Sequence, residues 1–155
     1  MRRKRNLLIL SLTLTGALFY FLQITLFNNF LAVGQNKPDL LLILTVFISL
    51  RLGQIPGSLY GFAAGFFQDM LIDFYGLQAL CKTIIGFIAP YFLNYKILLV
   101  EKFYFPFVVL FTSLIHDVIF YGIQALDSRL DLFSLLLHYG LPNSLYTAVM
   151  AFLLW

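Results

Sequence analysis

The chain has 155 residues, of which 61% are hydrophobic and 11% are charged, and its mean hydropathy is +0.92. Ordinary soluble chains are about half apolar and about a quarter charged, so this composition excludes a soluble domain and leaves almost no room for a soluble catalytic unit. The net charge of +3 is concentrated in residues 2–5, directly before an apolar run. That placement indicates a membrane topology signal rather than a nucleic-acid-binding patch. The single cysteine excludes an internal disulfide.

Apolar segments separated by short polar connections predict an all-α polytopic membrane protein whose residues 1–155 form one bundle. The first segment is too long for the apolar core of a signal peptide, which is about 7–15 residues, so we expect it to be a transmembrane helix. Within the last segment, Gly140 and Pro142 predict a kink. Six spans are predicted, at residues 7–27, 39–55, 57–74, 77–95, 103–126 and 132–155.

Basic residues predict the orientation of this bundle. With the N-terminus inside, Lys and Arg outnumber those on the outer side, so we expect both termini in the cytoplasm. The inner residues are Arg2, Arg3, Lys4, Arg5, Arg51, Lys96 and Lys102, and the outer ones are Lys37 and Arg129.

Glycines recur at a stride of four in the third predicted span, at Gly57, Gly61 and Gly65, and Asp69 continues the series. On a helix this spacing places small residues along one side, where membrane helices approach each other closely. Two interpretations stay open: the face packs against another helix of the same bundle, or it receives the transmembrane helix of a partner.

Ionisable residues within the predicted spans indicate a polar interior. Counting about 1.5 Å per residue from the outer helix ends places Asp69 about 7 Å deep, Lys82 about 8 Å, His138 about 9 Å and Asp117 about 13 Å. Since isolated charges at such depth are costly, we expect them to face inward, with Asp69 paired to Lys82 and Asp117 as a second partner.

Several chemistries are compatible with parts of this cluster. Two aspartates suggest an aspartyl intramembrane protease, but neither lies in a Gly-x-Gly-Asp motif, and no serine is placed to form a Ser-Lys hydrolase with Lys82. Two histidines, His116 and His138, are too few for a convincing metal site. We therefore predict no enzyme, no metal and no cofactor, and we retain a structural network or a small-ligand pocket.

The segment from Lys37 to Tyr95 resembles the bacterial rod shape-determining protein MreD family. The resemblance rests on Pro38 and Asp39 before a short apolar helix, on the glycine series that ends at Asp69, and on Gly76, Leu77 and Gly86 downstream. The chain departs from many relatives in having no basic residues after its last predicted helix.

The resemblance implies a non-enzymatic, multi-pass protein of the inner (cytoplasmic) membrane that acts as a scaffold in peptidoglycan elongation. The implied partners are the transmembrane helix of MreC and, indirectly, MreB, RodA and a class B penicillin-binding protein, together with membrane lipid and no nucleic acid. The family is also similar in fold to the substrate-binding component of energy-coupling-factor transporters. The alternative function is therefore a small-molecule-binding component of a transporter that uses the intramembrane Asp and Lys residues.

Overall fold

The structure is a computed structural model that describes residues 16, 18, 37–72, 76–92, 104–127 and 131–154. All regular structure within these ranges is helical, as expected for an all-α protein. One described helix, Tyr104–Leu126, is long and apolar enough to cross a membrane by length and composition, and Leu40–Leu52 and Leu77–Phe92 are apolar but shorter. The count of six spans and the placement of both termini stay predictions.

The described helices overlap the second to sixth predicted spans. Of the first predicted span, only Gly16 and Leu18 are described, and both are helical. The five helices are α1 (Leu40–Leu52), α2 (Gln54–Ile72), α3 (Leu77–Ile88, continued by a 3₁₀ turn at Ala89–Phe92), α4 (Tyr104–Asp127) and α5 (Leu132–Leu135, a π-helical turn at Leu136–Gly140, and Leu141–Leu154).

The boundary between α1 and α2 lies at Gly53, three residues before the predicted boundary at Pro56. Gly53 has a φ of +98°, a left-handed conformation that favours glycine, and its N–H donates to the carbonyl of Ser49. Pro56 lies within the first turn of α2, where its missing N–H breaks no helical hydrogen bond.

Helix α5 is continuous through the predicted kink. Pro142 has no N–H to donate to the carbonyl of His138 four residues earlier, and the preceding turn widens so that the Leu141 N–H donates to Leu136, five residues earlier. The physical effect of the proline is therefore a π-helical turn at Leu136–Gly140.

Helix α1 is the centre of the described bundle. Residues 40–46 are all buried, so this helix is apolar and covered around its whole circumference. Val46 packs in one cluster with Ile85 of α3, Val109 of α4 and Ala151 of α5, among others. Helix α2 covers a further side of α1 and packs closely along α3.

The helices differ in length. At about 1.5 Å per residue, α1 is about 20 Å long, whereas α4 is about 36 Å long. The N–H groups of Lys37 and Asp39 donate to Asn143 and Thr147, so the N-terminal end of α1 lies beside the middle of α5, at the level where the polar side chains meet.

Candidate functional site

The glycine face of α2 is packed against the backbone of α3. A side-chain carbon at Gly61 would overlap the carbonyl group of Lys82, and one at Gly65 would overlap the backbone at Gln78 and Ala79. The absence of side chains is thus what allows the two helices to approach at this distance.

The third glycine, Gly57, lies where three helices meet. A carbon added there would overlap Ser49 of α1, and one added at Gly86 of α3 would overlap the backbone of Gly57. The Ser49 hydroxyl donates a hydrogen bond to the Gly86 carbonyl. Of the two interpretations of the glycine face, the structure supports packing within the chain, since α1 and α3 leave no room for a partner helix there.

Asp69 caps the N-terminus of α3. Its two carboxylate oxygens accept hydrogen bonds from the backbone N–H groups of Gln78, at 3.0 Å, and Ala79, at 2.9 Å. Gly76, with a φ of +82°, makes the preceding turn and has no side chain to cap the helix itself. A carboxylate from α2 thus satisfies two N–H groups that every helix start leaves without a partner.

The predicted pair of Asp69 with Lys82 is wrong. The Lys82 ammonium lies 2.6 Å from Oδ2 of Asp39 and donates a second hydrogen bond, of 2.7 Å, to Oε1 of Gln78. Lys82 is fully buried, and the Asp39 side chain is 17% exposed. Asp39 also caps α1, because its Oδ1 accepts from the Leu42 N–H at 2.9 Å.

The polar contacts continue from α3 into α4 and α5. Nε2 of His116 lies 3.1 Å from Oε1 of Gln78, and Nδ1 of His116 lies 3.0 Å from Oδ1 of Asp117. The one hydrogen of the Ser144 hydroxyl is then shared between the Gly140 carbonyl, at 2.6 Å, and Oδ2 of Asp117, at 3.1 Å. We call the series Asp39, Lys82, Gln78, His116, Asp117 and Ser144 the buried polar chain.

Helix α5 also makes hydrogen bonds to the start of α1. The Asp39 N–H donates to the Thr147 hydroxyl at 3.2 Å, and the Lys37 N–H donates to Oδ1 of Asn143 at 3.1 Å. Hydrogen bonds therefore connect α1 to α3, α3 to α4, α4 to α5 and α5 to α1, and the cap at Asp69 joins α2 to α3.

His138 does not belong to the buried polar chain. Its side chain is exposed, and the partner of Nδ1 among the described residues is the Ser134 carbonyl of the preceding turn, at 3.0 Å. The predicted network of Asp69, Lys82, Asp117 and His138 therefore divides into a helix cap, a chain that contains Lys82 and Asp117, and an isolated surface histidine.

Depth counting missed Asp39, Gln78 and Ser144 as members of the chain. Such counting takes every helix to begin at the same membrane surface, whereas α1 begins beside the middle of α5. The sequence places Asp39 at the start of a helix and in the family motif but does not pair it with Lys82; a useful signal is the shortness of the apolar run after it, since a short helix must begin or end inside the bilayer.

The remaining motif residues have structural positions. Pro38 and Leu77 are buried next to the caps of α1 and α3, and Gly76 and Gly86 supply the turn and the close approach already described. Within the described ranges, no group of three or more His, Cys, Asp or Glu residues is placed to hold a metal ion.

A model of the rod shape-determining protein MreD family matches residues 1–155, the whole chain. The chain belongs to the MreD family. Members are bacterial membrane proteins with a role in determining rod shape. Comparison with curated proteins and with solved structures finds no match. In this MreD-family chain, the buried polar chain and the glycine face lie inside the bundle and hold its helices together.

Proposed function

We propose that this chain is a non-enzymatic scaffold of the peptidoglycan elongation complex in the bacterial inner membrane. It binds the transmembrane helix of MreC and through MreC is linked to MreB, RodA and a class B penicillin-binding protein. The proposal is supported by membership of the MreD family, which has a role in rod-shape determination, and by one surface of the bundle.

That surface is the end of the α4–α5 hairpin beyond the buried polar chain, which we call the distal hairpin surface. It comprises residues 118–126 and 131–139, and not one of these residues is buried. By contrast, the part of α4 that precedes it contributes Phe105, Val109 and Asp117, among others, to the interior. The hairpin therefore extends past the helices that cover its other half.

The chemistry of this surface favours a protein partner over lipid alone. His138 is exposed within the predicted sixth span, and its Nδ1–H donates to the Ser134 carbonyl, so Nε2 of the neutral ring is the nitrogen that can accept a hydrogen bond from a neighbouring helix. Polar side chains in membrane helices seldom face lipid, and a hydrogen bond from a neighbouring helix stabilises them. Leu137 on this surface and Leu141 directly after it are 46% and 43% exposed, so both offer apolar side chains to a partner near the histidine.

Site-directed crosslinking tests this docking surface. In a Cys81→Ala background, Leu137→Cys is expected to crosslink to a cysteine in the MreC transmembrane helix in cell membranes. The matched control is Leu59→Cys on α2, which is 67% exposed and is expected to face lipid. Equal crosslinking from both positions, or crosslinking from Leu59 alone, would contradict docking on the distal hairpin surface.

Depletion tests the cellular role. A rod-shaped cell depleted of this protein is expected to round and lyse. Rescue of the phenotype by a single nutrient would instead support the transporter alternative. The geometry favours that alternative less, since Lys82 and Asp117 already have partners within the protein.

A further inference from the structure

Three of the five helices end at the level of the buried polar chain. Helix α1 begins beside the middle of α5, because the Lys37 N–H donates to the Asn143 side chain. Helix α3 begins one residue before Gln78, whose side chain contacts His116 in the middle of α4. Helix α2 ends three residues after Asp69, which caps that same start of α3. These three helix ends therefore lie at one level of the bundle.

The α4–α5 hairpin continues well past this level. The segment 118–126 of α4 follows Asp117 and adds about 14 Å at 1.5 Å per residue. Most exposed side chains of the distal hairpin surface are apolar, Val118 and Phe133 among them, and Tyr104–Leu126 is apolar and long enough to cross a membrane. Since the hydrocarbon core is about 30 Å thick, a hairpin that crosses it places the three helix ends on the order of 10 Å below one of its surfaces.

The backbone that is exposed at this level is not helical. Lys37 precedes α1 and is exposed, and Gly76 in the turn before α3 is exposed as well. The Asp39 side chain is 17% exposed although it is paired with Lys82. Within the hydrocarbon, irregular backbone occurs only where it is buried in protein or lines water, because lipid offers its N–H and C=O groups no partners. Lys37 and Gly76 are not buried, so water must reach them.

We propose that the protein holds a water-filled depression in the membrane, with the ends of α1, α2 and α3 as its floor and the α4–α5 hairpin as one wall. Water in the depression hydrates Lys37 and the exposed part of Asp39, and the buried Lys82 lies beneath them. The bilayer is thinner above α1–α3 than beside the hairpin, as expected where apolar helices are shorter than the hydrocarbon is thick. The depression follows from membrane placement of the chain and does not depend on MreC binding.

Two cysteine variants of similar depth test the depression. In a Cys81→Ala background, Lys37→Cys places the one thiol of the chain at the floor and keeps the backbone N–H that bonds to Asn143. The matched control is Leu145→Cys. Leu145 is exposed and lies two residues after Asn143, which is about 3 Å along α5, on the side of that helix opposite to the buried Thr147.

Thiol labelling of the whole chain in lipid nanodiscs provides the first measurement. A membrane-impermeant maleimide reacts with the thiolate, which forms in water but not in hydrocarbon, so Lys37→Cys is expected to react at least about tenfold faster than Leu145→Cys. Equal labelling of both variants after denaturation in dodecyl sulfate verifies that both thiols are intact. Similar rates at the two positions in nanodiscs, whether fast or slow, or a faster reaction at Leu145→Cys, would overturn the depression.

Electron paramagnetic resonance provides a second measurement that does not depend on thiol ionisation. A nitroxide attached at Lys37→Cys is expected to collide more often with a water-soluble nickel chelate than with dissolved oxygen, which concentrates in hydrocarbon. The same label at Leu145→Cys is expected to show the reverse preference. A preference for oxygen at both positions would show that lipid covers the helix ends, and a preference for nickel at both would show that the hairpin itself stands in water; either result contradicts the depression.

Discussion

The ammonium of Lys82 and the carboxylate of Asp39 form a 2.6 Å ion pair across 43 sequence positions, and the pair holds the N-terminus of α1 against α3. Asp39 performs two tasks, because one oxygen caps α1 and the other accepts from Lys82. Removing the Asp39 carboxylate therefore affects both the cap of α1 and its contact with α3, whereas removing the Lys82 ammonium affects the contact alone.

The charge pair predicts non-additive effects on stability. Lys82→Met leaves Asp39 without its cation and is expected to lower the free energy of unfolding by about 3 kcal/mol. Asp39→Asn keeps a capping oxygen for α1 but leaves Lys82 buried without a countercharge. The double variant removes both charges and is expected to be more stable than Lys82→Met alone.

Cys81 provides the measurement. It is the one cysteine of the chain and is fully buried, so a thiol-reactive fluorophore reports unfolding of the purified protein in detergent. A double variant whose loss equals the sum of the two single losses would show that the residues are not coupled.

An alanine substitution is expected to have opposite effects at Gly65, which lies on the glycine face, and at Gly122, which lies outside it. Gly65→Ala forces the backbone of α3 to move and is expected to cost about 1–3 kcal/mol of unfolding free energy. Gly122 on α4 has no atom within 4 Å of an added carbon, so Gly122→Ala is expected to be neutral or to stabilise the helix by up to about 1 kcal/mol. Thermal unfolding of the two variants side by side measures the difference, and equal losses would contradict close packing at Gly65.

The cap on α3 predicts that one aspartate matters for stability and another does not. Asp69→Ala leaves two buried N–H groups without acceptors and is expected to lower the free energy of unfolding by about 2 kcal/mol. Asp131 precedes α5 but its side chain makes no capping hydrogen bond, so Asp131→Ala is expected to cost less than about 0.5 kcal/mol. Hydrogen exchange at Gln78 and Ala79 should accelerate in the first variant only.

The hydrogen bond between Ser144 and Asp117 links α5 to α4, and its loss is expected to lower the free energy of unfolding. Ser144→Ala removes the hydroxyl that donates to Oδ2 of Asp117 and is expected to cost about 1–3 kcal/mol. Ser134→Ala, at an exposed position of the same helix, is the control and is expected to change the unfolding temperature little. Similar stability of both variants would show that Ser144 is dispensable.

The sequence pattern predicted the features that local spacing controls. Stride-four glycines indicated a close helix contact, and charged residues in apolar segments indicated a polar interior that includes Lys82 and Asp117. Pairing depends on where each helix begins along its neighbours, which local spacing does not encode. Because α1 is short and begins within the bundle, Asp39 rather than Asp69 pairs with Lys82, and Asp69 caps α3.

Gln78 and Ser144 escaped prediction for a related reason. Both are neutral residues that occur widely on helix surfaces, and their importance arises from the charged groups that three-dimensional packing brings to them. His138 shows the converse, because its depth along the chain matched the cluster while its direction on the helix did not.

The π-helical turn of α5 is equivalent to one inserted residue, since each of its hydrogen bonds spans five positions instead of four. In a Pro142→Ala background, which restores the N–H that an α-helical turn needs, deleting Leu137 is therefore expected to convert the turn into an α-helical one and to leave Ser144 and Thr147 facing Asp117 and Asp39. Leu145 lies in α-helical backbone between Ser144 and Thr147, so deleting it changes their spacing and the two side chains can no longer face their partners together. The last helix thus tolerates the loss of a residue at one site only, and unfolding temperatures of the two deletions would reveal it.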